Sequence, residues 1–214
     1  RGTMSGKRIA AGVLRNDSGG EWWSAEGAET RPVNNPSTGG ELGQVPFSDT
    51  ENVDAVVNEA QAAFEEWRST PAEQRIQPLF ELKRLLEANQ AELAETLVRE
   101  HWKTRGEAMG ELRRGIENVE VACGIPSMLQ GGTLNDAAPG IDESGVREPL
   151  GVFTAVTPFN FPGMIPLWFL PYAVACGNTF VLKPSEQTPL TAMKLFELID
   201  EAGFPDGVVN LLNG

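Results

Sequence analysis

Apolar residues between residues 50 and 67 follow a helical period. Val53, Val56, Val57, Ala60, Ala63, Phe64 and Trp67 recur at spacings of three and four, which predicts an amphipathic helix with an acidic first turn at Glu51 and Asp54. A second helix is predicted from Pro71, a favourable first helical position, through Leu79, Leu82, Leu85 and Leu86. A third covers about 90–100, and a long one about 105–122. Before them, RPVNNPSTGGELGQVPFS places Asn-Pro and Thr-Gly-Gly turn chemistry between short β-type runs, so a hairpin is expected with strands near 31–34 and 41–47. Residues 1–30 are rich in Gly, Ser and Asp and read as an irregular lead-in, with Trp22 and Trp23 available to cap a core edge.

Helical periodicity stops at about residue 131. The polar, Gly-rich stretch to Glu148 is long for a connection without structure of its own. Beyond Pro149 the pattern changes again. GVFTAV, TFVL and VVNLL are short apolar runs suited to buried strands. Between them lie helical stretches at 161–176, opened by Pro162, and at 190–202, closed by Gly203. Strand, helix, strand, helix, strand is a parallel α/β unit. In such a unit ligands bind at the carboxyl ends of the strands. Two polar, proline-stiffened loops fall there: Thr157-Pro158-Phe159-Asn160 and Lys183-Pro184-Ser185-Glu186.

Composition narrows the partners. Lys and Arg total 17 against 30 Asp and Glu, for a formal net charge of −13. Nucleic-acid binding needs clustered basic residues, so no nucleic-acid partner is expected. Apolar residues make up 41% of the chain, enough for a packed core. No apolar run approaches the roughly 18 residues of a membrane span; the nearest, 153–175, carries Asn160 and four interrupting prolines at 158, 162, 166 and 171. No signal-peptide pattern follows Arg1, and a cytoplasmic location is expected. Cys123 and Cys176 fit no zinc-site spacing and are too few for a disulfide framework. Both read as small buried hydrophobes, so no metal site is expected.

The two loops carry suitable chemistry. The Asn160 amide can donate to a developing oxyanion, although asparagine beside proline also forms ordinary turns. Glu186 can accept hydrogen bonds from ribose hydroxyls and Lys183 can donate to them; alone, KPSE reads better as a solvated surface turn, and its place at a strand end after FVL favours the site. His101, the single histidine, has no evident acid–base partner and reads as structural or exposed.

From about Arg31 onward the chain resembles the aldehyde dehydrogenase superfamily. The resemblance rests on PFNFP, on LWFLPYAVACGNTFVLKPSE, and on RRGIENVEVACGIPSMLQGG, which look most like the methylmalonate-semialdehyde dehydrogenase branch. It implies an α/β fold corresponding to the N-terminal part of that family's structure: a parallel-sheet cofactor domain, a helical N-terminal region and a strand arm for oligomerisation. The implied division is a lead-in over 1–30, hairpin and helices over 31–132, the oligomerisation arm over 133–149, and the first part of the NAD-binding unit over 150–214. The family's catalytic domain, cysteine nucleophile and glycine-rich turn are expected beyond Gly214.

The same resemblance implies roles. Asn160 would stabilise the oxyanion of a cysteine thiohemiacetal. Lys183 and Glu186 would hold the cofactor ribose, with Gln187 beside the adenosine and Thr157 and Phe159 lining the cofactor path. A carboxylate facing the ribose repels a 2′-phosphate, so NAD is favoured over NADP. Semialdehydes of this branch carry a carboxylate, which a guanidinium binds through two parallel hydrogen bonds; Arg114 is the first choice and Arg113 the fallback, against a solvent-facing basic pair. The whole protein would be an NAD-dependent enzyme with coenzyme A as co-substrate, forming a homo-oligomer (dimer or tetramer) with small-molecule semialdehyde substrates. Rival readings are a non-acylating NAD(P)-dependent aldehyde dehydrogenase and a short nucleotide-binding or interaction protein without catalysis. One departure stands out: the family usually reads E-x-G-K-T where this chain has Glu100-His101-Trp102-Lys103-Thr104, with tryptophan in place of glycine.

Overall fold

A computed structural model gives the fold of residues 9, 10 and 12–214. Its strands are β1 (Ile9–Ala10), β2 (Val13–Leu14), β3 (Asn16–Ser18), β4 (Glu21–Trp23), β5 (Thr30–Asn34), β6 (Glu41–Pro46), β7 (Gly132–Ala138), β8 (Ile141–Gly145), β9 (Val152–Val156), β10 (Thr179–Lys183) and β11 (Val209–Leu211). Its helices are α1 (Thr50–Trp67), α2 (Ala72–Arg75), α3 (Gln77–Ala88), α4 (Gln90–His101), α5 (Arg105–Ala122), α6 (Ile125–Met128), α7 (Pro166–Ala175) and α8 (Leu190–Ala202).

The organising sheet has the order β4-β3-β11-β10-β9. Strands β9, β10 and β11 run parallel, as the alternation of apolar runs and helices predicted. Alternation along β10 shows how the sheet is filled. Phe180 and Leu182 enter the main core with α3, α4, α5, α7 and α8. Val181 points the other way, into a small cluster with Val56 and Ala60 of α1. A stripe of Val56, Ala60, Phe64 and Trp67 is the buried face of α1. Val53 and Val57, expected inside, lie on the neighbouring stripe and are exposed. Capping boxes start both long helices, Asp49 with Asn52 for α1 and Thr104 with Glu107 for α5, each satisfying amides the first turn leaves unpaired.

Three further expectations need correction. The lead-in is not irregular over 13–23: β3 and β4 form an antiparallel hairpin that extends the main sheet through the Asp17–Leu211 pair. Trp22 packs on the main core and Trp23 on the smaller one. Asp17 is buried between acidic neighbours; burial, then the charge of Asp200 and a hydrogen bond to it, pushes its carboxyl up to about 8. The helix expected from Pro71 is two, α2 and α3, parted at Ile76, because Pro78 in the new first turn has no N–H to continue the ladder. The helix expected from Pro162 begins only at Pro166; its intended first amides are taken by a side chain described below.

The stretch after 131 is a two-stranded hairpin, β7 with β8. Its side chains are exposed almost throughout, including Leu134 and Ile141. Among the described residues no helix is long and apolar enough to cross a membrane.

Candidate functional site

The parallel strands end together at one edge of the sheet. Lys183 is the last residue of β10 and pairs with Val156, the last of β9. The Thr157 amide donates to the Lys183 carbonyl at 3.0 Å, which holds the two following loops side by side. Leu212 donates to the Leu182 carbonyl at 2.9 Å, bringing the chain after β11 to the same edge. There Asn213, fully buried, donates its amide to Asn16 Oδ1 at 2.8 Å and its side chain to the Arg15 carbonyl at 3.0 Å. The N-terminal hairpin therefore anchors the third strand end.

On the loop after β10, Lys183 Nζ lies 3.7 Å from Glu186 Oε2, and both side chains remain partly open to solvent. A donor and an acceptor so placed fit a vicinal diol such as a ribose. Ser185 Oγ accepts from the Gln187 amide at 3.2 Å, and Thr188 Oγ1 donates to the Phe159 carbonyl at 3.4 Å, which tie the turn to itself and to the neighbouring loop. Gln187 is exposed. It lines a cavity of about 370 Å³ together with Asn34, Glu100, His101, Phe159 and Thr188. One face of the Phe159 ring is taken by His101, with centroids 6.2 Å apart. Both His101 ring nitrogens are buried without a hydrogen-bond partner among the described residues. Burial, with Lys103 nearby, holds that imidazole below its usual range.

Asn160 is exposed in the loop after β9. Its carbonyl accepts from Lys103 Nζ at 3.0 Å. Lys103 in turn forms a buried ion pair with Glu111 Oε2 of α5. Glu111 Oε1 accepts from the amides of Gly163 at 2.8 Å and Met164 at 3.2 Å. Those amides are thereby withdrawn from the helix predicted to start at Pro162. Glu100, one turn away from Lys103 in the chain, caps α8: its carboxylate accepts from the amides of Leu190 at 2.7 Å and Thr191 at 2.9 Å. Burial still pushes it up to about 7.

The two arginines differ. Arg113 is engaged on the surface with Glu87, Glu117 and Glu120. Arg114 makes no side-chain hydrogen bond or ion pair among the described residues. It lies on α5 between Glu111 and Asn118 at helical spacing. Glu111 touches the Asn160 loop, and Asn118 accepts from the Tyr172 hydroxyl of α7 at 3.0 Å. The structure thus gathers Thr157, Phe159, Asn160, Lys183, Glu186 and Gln187 at one sheet edge, with Arg114 on an adjoining helix stripe. Sequence reasoning missed Lys103, Glu111, Asn16 and Asn213. Of these, Lys103 alone carried a signal, as part of the E-x-G-K-T-like segment. Cys123 and Cys176 lie at helix ends, and burial pushes both thiols up.

Parallel strands whose end loops carry an exposed amide and a lysine–glutamate couple make a frame suited to a nucleotide. The aldehyde dehydrogenase family model matches residues 22–214, and the chain belongs to that family. It is 50% identical over 202 residues to malonate-semialdehyde dehydrogenase 1 of Geobacillus kaustophilus, covering 94% of this chain and 41% of that protein. The corresponding enzyme of Bacillus pumilus is 48% identical, with 94% and 42% covered. Among solved structures, methylmalonate-semialdehyde dehydrogenase from Oceanimonas doudoroffii superposes with a TM-score of 0.91 at 43% identity, covering 94% of this chain and 41% of that one. A Sinorhizobium meliloti 1021 protein described as a methylmalonate-semialdehyde dehydrogenase, solved with NAD, gives 0.91 at 40% identity over the same shares. The chain spans about two fifths of the length of the relatives it matches.

Proposed function

We propose that the full-length protein is an NAD-dependent, CoA-acylating dehydrogenase of malonate or methylmalonate semialdehyde. The observation that carries this reading is the convergence of the Asn160 loop and the Lys183–Glu186 pair at adjoining parallel strand ends. The similarity to semialdehyde dehydrogenases supports the substrate class.

In this reading Lys183 and Glu186 hold the ribose of NAD, Gln187 lies beside the adenosine, and Thr157 and Phe159 line the path between the loops. When bound, NAD supplies the hydride acceptor. The Asn160 side chain donates to the oxyanion of the thiohemiacetal formed on a catalytic cysteine. Neither Cys123 nor Cys176 fits that part, because a thiol pushed up by burial is a poor nucleophile. Arg114, with its guanidinium uncommitted, binds the substrate carboxylate; Arg113 is held by three glutamates. The acyl group leaves as its coenzyme A thioester. The exposed β7–β8 hairpin is the proposed contact through which copies of the chain associate, and the proposed location is cytoplasmic.

The test is an assay of the full-length protein with malonate semialdehyde, methylmalonate semialdehyde or propanal, with NAD and with or without coenzyme A. The expected result is NADH formation that requires coenzyme A, with the acyl-CoA identified by mass spectrometry. Oxidation to a free acid without coenzyme A would replace this reading by the non-acylating one. Absence of oxidation of either semialdehyde would overturn it.

A further inference from the structure

We propose that Lys103 is a positioning residue for Asn160, acting with Glu111 as a buried clamp on the loop that presents the catalytic amide. The inference rests on the oxyanion role of Asn160.

The loop needs an outside support. Between β9 and α7 it has no regular structure, and Asn160 itself is exposed. The clamp supplies three attachments to its backbone. The Lys103 ammonium donates to the Asn160 carbonyl, and Glu111 accepts from Gly163 and Met164. Lys103 Nζ also lies 4.8 Å from the centroid of the Phe161 ring. Both charges are sequestered, with side-chain exposures of 8% for Lys103 and 1% for Glu111. An ion pair so buried is costly to assemble from water. In return it fixes geometry, because the pair's remaining hydrogen bonds, from Lys103 to the Asn160 carbonyl and from the Gly163 and Met164 amides to Glu111, are made only when the loop sits in one place. The packing permits no slack: a Cβ added at Gly163 would lie 2.9 Å from Leu112 Cδ2 and 3.3 Å from Glu111 Oε1. Lys103 contacts the backbone of Asn160 and exchanges no proton with substrate. Its effect on rate runs through the direction of one amide, and displacements of about 1 Å in such groups cost on the order of 10²-fold.

A double-mutant cycle in the full-length enzyme tests this. Removing only one charge strands the other, so the principal variant removes both: Lys103→Met with Glu111→Leu. It should lower kcat by about 10- to 100-fold, with NAD affinity and the semialdehyde KM within about threefold of the parent. Added to Asn160→Ala, it should lower kcat by no more than about threefold further, since the group it positions is already gone. Lys103→Arg should recover most of kcat. Lys103→Met with Glu111→Gln, which also leaves no charge stranded and keeps an acceptor for the Gly163 and Met164 amides, serves if the first double variant does not fold; it should reproduce the selective loss of kcat. An unchanged kcat in the folded variants, or an equal loss with and without Asn160, would overturn the proposal while leaving the oxyanion reading intact. If Asn160→Ala alone leaves kcat unchanged, the oxyanion reading fails first.

Discussion

Two loops stand at the same edge of the sheet and are held in opposite ways. The charged pair of the loop after β10 is local. Its lysine and glutamate are three residues apart, partly exposed, and paired with each other. Such a pair adds little to stability and is free to exchange its partner for a ligand hydroxyl. The loop after β9 depends on residues far away. Lys103 reaches the Asn160 carbonyl from 57 positions earlier in the chain, and Glu111 reaches Gly163 from 52. In the proposed function the first pair grips and releases a cofactor, which a local turn allows, while Asn160 points at one developing charge, which calls for a rigid support.

The contrast sets which kinetic constant each substitution should move. Asn160→Ala carries the largest effect, a fall in kcat of about 10²–10³ with NAD affinity nearly unchanged; a kcat within about threefold of the parent would take Asn160 out of the oxyanion site. Arg114→Ala should lower kcat/KM for malonate semialdehyde by about 10- to 100-fold, the equivalent of about 1.5–3 kcal/mol for a charge-assisted contact. Propanal, which has no carboxylate, should be turned over as before, and Arg113→Ala should change neither substrate. Equal losses on both aldehydes would make Arg114 a structural residue. Glu186→Gln should act on the other loop alone, weakening NAD by about tenfold and narrowing the preference over NADP, with kcat retained. An unaltered NAD/NADP ratio would remove Glu186 from the ribose. The smallest effect falls at Trp102, beside Lys103 in the chain. Trp102 is exposed and adopts φ 62°, a left-handed conformation that costs a side-chain-bearing residue about 1–2 kcal/mol. Trp102→Gly relieves it but loosens the unfolded chain, so a net gain of about 0.5 kcal/mol is expected, read as a slightly higher Tm. A lower Tm would show that the indole makes a contact worth more than the strain.

How much of this was legible follows the same division. The β10 loop was readable because its parts are consecutive: an apolar run ends, and KPSE follows. The α/β alternation and the helices over 50–67 and 105–122 were readable for the same reason, since period and capping residues are local. The clamp was not. Glu111 sits in ELRRGIENVE among charged neighbours, and nothing in that segment distinguishes a buried carboxylate from a solvated one. The late start of α7 is its visible consequence: Pro162 is a good first helical residue, yet the amides just after it belong to Glu111. Residues 13–23 were misread for a related reason. Their polar composition suits a loop, but Asn16, Asp17 and Ser18 are buried because their partners, Leu211 and Asn213, lie nearly 200 positions later.

That last pairing constrains the order in which the protein can be made. Asn16 meets Asn213 across 197 positions, so the first hairpin cannot join its sheet until β11 has left the ribosome. At synthesis rates of about 5–20 residues per second, the delay is roughly 10–40 s. Trp22 and Trp23 emerge early and lack, over that interval, the part of their packing that the later strands supply. These five strands therefore close from β11 back onto β3. A nascent chain arrested before β11 holds Asn16, Asp17 and Ser18 without the strand that buries them.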